Sequence, residues 1–349
     1  MKLINVKALF KIIFFVAIFI ALESCKSRKK VDVSNIELNL KIIRFEKKLF
    51  SFDPEKPEEH FKSLQTEYPD MFSLFVKQMM GFDFSAENST DYSTDLIEFL
   101  TNPYMEELYE DVQAAFPDIE DLNDEIELAL KHYLYYFPDN TAPEVYTFIS
   151  GFNYAAFTLD TNYIGIGLDM YLGRDYKYYP SVFPHFLYRR FEPEYISSNV
   201  MRVLAAEVIA VDYVPVNLLG SMIYNGALLY FTDLTLPDVH DTLKIGYTEK
   251  EYRWAHFNEP EIWTFFIDKE LLYETNSTIY SRYITEGPST SGMPVDAPGN
   301  MGSWVGWQIV RSFMEKNPDV HISSLLTDYS PQYILENAAY RPRSRNVRR

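Results

Sequence analysis

The hydrophobic pattern of the chain changes period twice, from helical to alternating and back. Ile119, Leu122, Ile126, Leu130, Tyr133 and Phe137 recur every three or four residues, which predicts an amphipathic helix over 119–137. Earlier helices are predicted over 96–115 and over 61–80, the latter broken at Pro69 and ended near Gly81. From Ile36 the string IELNLKIIRFEKKLF alternates and then turns helix-like, with Ile43, Phe45 and Leu49 available for packing. Residues 144–150, 155–159 and 163–168 are short, aromatic and β-branched, with turn residues between them, so they read as strands. Leucine and alanine patterning returns at 196–213 and 218–231, predicting two helices after the sheet. Further helices are predicted from Thr248, over 260–272 and over 303–315, with Ser303 as the N-cap of the last. Residues 287–302, the richest turn segment, lead into it. No repeat divides the chain. The pattern predicts an α+β fold, mainly helical with one small sheet.

Composition narrows the functions open to it. The 349 residues are 47% hydrophobic, with 27 Tyr and 26 Phe, enough for a sizeable core. A formal charge of -18 excludes nucleic acid as a partner, because a phosphate backbone needs a concentrated basic surface. Residues 83–127 hold 15 acidic side chains and no Lys or Arg, but no 12-residue calcium loop, so they read as a solvated face. The arginines at 341, 343, 345, 348 and 349 read as a frayed basic terminus. Histidines stand at 60, 132, 185, 240, 256 and 321, none close enough to another to make a helical metal pair. There is no phosphate loop, dinucleotide fingerprint or nucleophile elbow. With one cysteine, an internal disulfide and a thiolate zinc site are both excluded.

That cysteine sits at the end of a leader. Lys2, Lys7 and Lys11 precede an apolar run of 11 residues, 12–22. Such a run reaches about 16 Å as a helix, against a bilayer core of roughly 30 Å, too short for a permanent span. The order of basic region, apolar region, Leu22 and Cys25 resembles a bacterial lipoprotein signal, which implies cleavage before Cys25 and its acylation. Glu23 is unusual within such a signal. The expected organisation is a signal peptide over 1–24, a lipidated tether over 25–35 and one domain over 36–345. Within that domain, 36–142 is helical and 143–345 carries the sheet. The basic string KSRKKVDV after Cys25 tilts the expected orientation toward the periplasmic face.

Three strings carry a wider resemblance: NLLGSMIYNGALLYF (217–231), YRWAHFNEPEIWTFFIDKELLYETN (252–276) and PGNMGSWVGWQIVRSFMEKNP (298–318). With the leader, they make the chain similar to the GldB family of gliding motility lipoproteins of Bacteroidetes. That resemblance implies work in gliding and type IX secretion, with other machinery proteins as partners and the lipid as the membrane contact. It also implies a distant likeness to zincin-like peptidases with an HExxH helix and a downstream glutamate. On that register the helix motif falls on Ala206, Glu207 and Ala210, and the downstream ligand on Asn225. Alanine offers zinc no lone pair and asparagine is a poor ligand, so the resemblance implies a degenerate site with no metal, no cofactor and no enzymatic activity. Trp254, Glu259, Trp304 and Trp307 are nominated as lining or supporting the remaining cleft. Trp304 and Trp307 also have the spacing of core residues, and Glu259 before Pro260 that of a helix start. The alternative function is a glycan- or peptide-binding lipoprotein using that cleft. A hydrolase built on paired carboxylates stands third.

Overall fold

The computed structural model describes residues 30–81 and 91–342. The leader, Cys25 and the last arginines lie outside the described residues. The chain divides into two units at 35/36, and the account below is of the second.

β1 (Ile43–Arg44) is a two-residue strand that runs into helix α1 (Phe45–Phe50). Next come α2 (Pro57–Glu67), α3 (Pro69–Ser73) with a wider turn over Leu74–Met79, α4 (Asp91–Leu100), α5 (Pro103–Ala115) and α6 (Glu120–Tyr136). The single helix expected over 96–115 is two, because Asn102 caps the Tyr104 amide and Pro103 stands at the first helical position.

β2 (Glu144–Phe148), β3 (Ala156–Leu159) and β4 (Tyr163–Gly167) follow, where the sequence predicts strands. The sheet order is β1-β2-β4-β3, with β1 and β4 parallel to β2 and β3 antiparallel to β4. Val145 through Phe148 are all buried, because the central strand is covered on both faces. Alternation divides the core accordingly. Tyr146 and Phe148 join Phe45, Phe61, Phe72 and Phe75 in one cluster, whereas Val145, Ile164 and Ile166 join the larger one. Glu46, fully buried, ties the strands to the helices: it pairs with Arg44 and accepts from the Thr147 hydroxyl at 2.5 Å. Gly165 faces the Phe157 ring so closely that any side chain there would collide with it.

A turn after β2 carries a buried acid. Gly151 and Phe152 both have positive φ, 67° and 69°, which turns neighbouring amides inward. Ser150 and Phe152 amides donate to Asp169 Oδ2 at 3.1 and 2.7 Å. Burial nevertheless dominates those bonds and pushes the carboxyl up to about 6. A folded-state value above the unfolded 3.8 means stability is greatest below pH 3.8 and falls as pH rises through 6. The loss is about 3 kcal/mol at neutral pH, from roughly 1.4 kcal/mol per unit. Asp169→Asn keeps an acceptor and cannot ionise. Urea denaturation should show D169N gaining on the wild type as pH rises from 4 to 7; an equal difference at both ends would contradict this account.

The second half is helical: α7 (Ile196–Ile209), α8 (Leu218–Thr235), α9 (Asp241–Ile245), α10 (Glu249–Phe257), α11 (Glu259–Asp268), α12 (Ser277–Ile284), α13 (Met301–Lys316) and α14 (Pro331–Ala338). α8 is apolar on nearly every side and forms the centre, packed against α7 and α13. Thr248 caps α10 in a reciprocal box with Glu251. The N-cap of α13 is Asn300, with left-handed φ 65°, and not Ser303. Asn tolerates that backbone, which starts the helix three residues earlier than expected and buries Ser303 inside it. None of the described helices is long and apolar enough to cross a membrane.

Candidate functional site

α7 forms because Ile196, Val200, Met201, Leu204, Ala205 and Ile209 fall on one buried face. Its other face, with Asn199, Arg202, Val203, Ala206 and Glu207, is half-buried. The helix ends at Ile209, and Ala210 is the cap, with φ -141°. The stretch 206–210 is therefore helical only in its first four residues, so 206 and 210 do not sit as an intact helical pair. Glu207 makes no hydrogen bond or ion pair with another described residue. Asn225 lies on α8 and donates from Nδ2 to the Ser221 carbonyl of its own helix, at 2.9 Å. The amide is thus spent within α8 and is not offered to Glu207.

The Asn225-Gly226 step has a packing role. A Cβ on Gly226 would collide with the backbone of Gly306 on α13, and one on Gly306 with the Met222 carbonyl on α8. The two glycines let these helices touch backbone to backbone.

The tryptophans nominated for a cleft occupy the core. Trp304 and Trp307 are both 0% exposed. The Trp304 ring meets Tyr252, His256 and Trp307 edge-on, with centroids 5.4, 5.1 and 6.1 Å away. Trp254 is half-buried against the same cluster. Glu259 stands in the first turn of α11 and accepts from the Tyr340 hydroxyl at 2.7 Å. It anchors the end of the chain. Burial and that carboxylate hold the Tyr340 phenol well above its usual range. His240 and His256 converge on one residue, Tyr252, with ring centroids 5.5 and 5.0 Å from it. Among the described residues no three His, Cys, Asp or Glu side chains are grouped to hold a metal ion.

Two charged constellations were not anticipated from the sequence. The first is a buried network. Arg311 on α13 bonds Asp233 at 2.6 and 2.8 Å and Asp241 at 2.8 and 2.9 Å. Lys244 adds an ion pair to Asp233 at 3.1 Å, and the Trp307 indole donates to Asp233 at 3.0 Å. Burial opposes the Arg311 charge, but the carboxylates outweigh it and raise the guanidinium pKa. The available signal was Asp233 itself, an acid inside the apolar run ALLYFTDLTL.

The second lies on the half-buried face of α7. Arg190 donates to the Ile245 carbonyl and pairs with Glu286, both at 2.6 Å. Its guanidinium packs on Gly246, whose φ of 80° and missing side chain leave the room. Arg202 sits within the field of Arg190, Glu286 and Tyr224 and contacts none of them by hydrogen bond. Burial and Arg190 together lower its pKa to about 10. The Tyr224 ring stacks on Tyr213, 5.9 Å between centroids and 13° between planes.

Against known proteins, the family model described as gliding motility protein GldB matches residues 26–342. No curated protein and no solved structure matches the chain.

Proposed function

The chain belongs to the GldB family of gliding motility lipoproteins, and from that membership we propose a non-enzymatic, lipid-tethered component of the gliding and type IX secretion machinery. It acts by holding other proteins, faces the periplasm and is fixed to the membrane through Cys25. The observation that carries the non-enzymatic part is the state of the nominated site. Glu207 is its one remaining acid, flanked by Ala206 and capped by Ala210, while Asn225 bonds its own helix. A proton-transfer group needs a partner within hydrogen-bond reach, and Glu207 has none among the described residues. Binding energy in a scaffold is instead carried by a few contacts on an exposed surface.

Glu207→Gln keeps the shape of the side chain and removes its charge. A strain carrying E207Q at normal abundance is expected to spread and to secrete nearly as the wild type does. Cys25→Ser should abolish incorporation of labelled fatty acid and free the folded domain from the membrane. Complete loss of spreading and secretion in E207Q, with abundance and melting temperature unchanged, would overturn the scaffold reading and make Glu207 a working acid or base.

A further inference from the structure

Arg202 is a guanidinium without a counter-ion. It makes no hydrogen bond or ion pair with any described residue, and its nitrogens are not sealed from solvent. Yet protein surrounds it closely enough for burial to be the largest influence on its charge. An arginine in that position costs stability unless something pairs with it. Nearby charge sharpens the point. Arg190 is a second cation, held rigidly by Glu286, the Ile245 carbonyl and Gly246, so it cannot swing away. Two guanidiniums against one carboxylate leave this corner at +1, in a chain whose formal charge is -18.

The neighbours suit a ligand. Tyr224 is half-buried, lies in the field of Arg202 and spends its hydroxyl on no described residue. Its stack on Tyr213 fixes the ring as a wall. Ala206 stands one turn on from Arg202, on the same face of α7, and adds little bulk there. A planar guanidinium fork matches a carboxylate through two parallel hydrogen bonds. A carboxylate would bring the corner to neutrality, whereas a doubly charged phosphate would leave it at -1.

We propose that Arg202, with Arg190 and Tyr224, forms a receptor for one carboxylate group, of the kind carried by a peptide C-terminus. Arg202 supplies the bidentate contact, Arg190 the second positive charge, and the Tyr224 hydroxyl a further donor. The site takes binding and no chemistry, and it stands independently of the gliding assignment.

The test uses the folded protein and three probes: N-acetyl-alanyl-alanine with a free C-terminus, the same dipeptide as its C-terminal amide, and acetate. The arginine Nε–H resonances are followed by NMR, with Arg202→Met identifying the Arg202 signal. The free dipeptide is expected to shift that signal saturably and the amide to leave it in place. A dipeptide that binds more tightly than acetate assigns the site to peptides; equal binding assigns it to small carboxylates. R202M, which keeps the apolar stem, should lose the response and retain or raise the melting temperature, since an uncompensated charge is gone. Equal shifts with the amide, no shift with either carboxylate, or tighter binding of inorganic phosphate would each overturn the proposal. A fall in the melting temperature of R202M would do so as well, by giving Arg202 a structural role.

Discussion

Replacing Gly306 with alanine should cost at least about 3 kcal/mol, the upper end of what overpacking a core usually costs. Gly306 lies on α13 where it crosses α8, and the atom nearest a new methyl group would be the Met222 carbonyl oxygen. Real Cβ contacts essentially never come under 3.0 Å, and this one would lie far inside that distance. A clashing side chain could rotate away; a carbonyl in mid-helix cannot. The two helices must therefore separate. Gly226 faces Gly306 across the same crossing, so no slack exists on the opposite side. Separation opens the packing around Met222, Ile223, Trp307 and Val310, all fully buried. The better helix propensity of alanine returns only about 1 kcal/mol. Urea denaturation should show a large fall in midpoint for G306A. Gly220→Ala is the control, because its nearest neighbour is the Tyr213 hydroxyl at 3.2 Å, the far end of a side chain. If G306A were no less stable than G220A, the close crossing would not be a constraint on this fold.

These crossings show what the sequence can and cannot reveal. The stripe from Ile119 to Phe137 shows α6 because helix period is local information, and the three aromatic strands stand out by length and β-branching. β1 does not stand out. Two residues, Ile43 and Arg44, become a strand only because Tyr146 and Thr147, a hundred positions on, present a free edge. The break at Asn102-Pro103 was legible, since a cap followed by proline is a local start signal. The start of α13 was less so. Ser303 has the composition of a cap, but left-handed Asn300 captures the role and places Ser303 in the core. Among the site residues, Trp304 and Trp307 carry the spacing of core and prove to be core. Glu259 is read correctly as a first-turn acid, while its bond to Tyr340 depends on chain 81 residues away. Arg202 gave no signal at all, because a missing partner is a property of the fold and not of the string.

Asp233→Asn is expected to destabilise the domain by about 3–5 kcal/mol, the usual cost of removing one partner from a buried ion pair. Asp233 and Lys244 are almost fully buried, and Arg311 bridges Asp233 to Asp241. With two cations against two carboxylates the cluster is neutral, and asparagine would leave it at +1 in a site with little water to screen it. The Arg311 guanidinium also lies 3.6 Å from the Trp307 ring centroid, so its position is fixed by stacking and cannot relax toward solvent. Asp241 should resist protonation. Burial raises its carboxyl, but the Arg311 hydrogen bonds and charge outweigh this and hold it below 3.8. Its contribution is thus fully present above pH 3.8 and is lost only as pH falls through its lower folded value. The decisive measurement is a double-mutant cycle in urea. Arg311→Met alone should also be costly, because it strands two carboxylates with one lysine. The pair D233N and R311M removes one charge of each sign and restores balance, so the double variant should be more stable than the sum of the single losses predicts. Additive losses would mean that Asp233 and Arg311 act separately, and that the neutral network does not hold α8, α9 and α13 together.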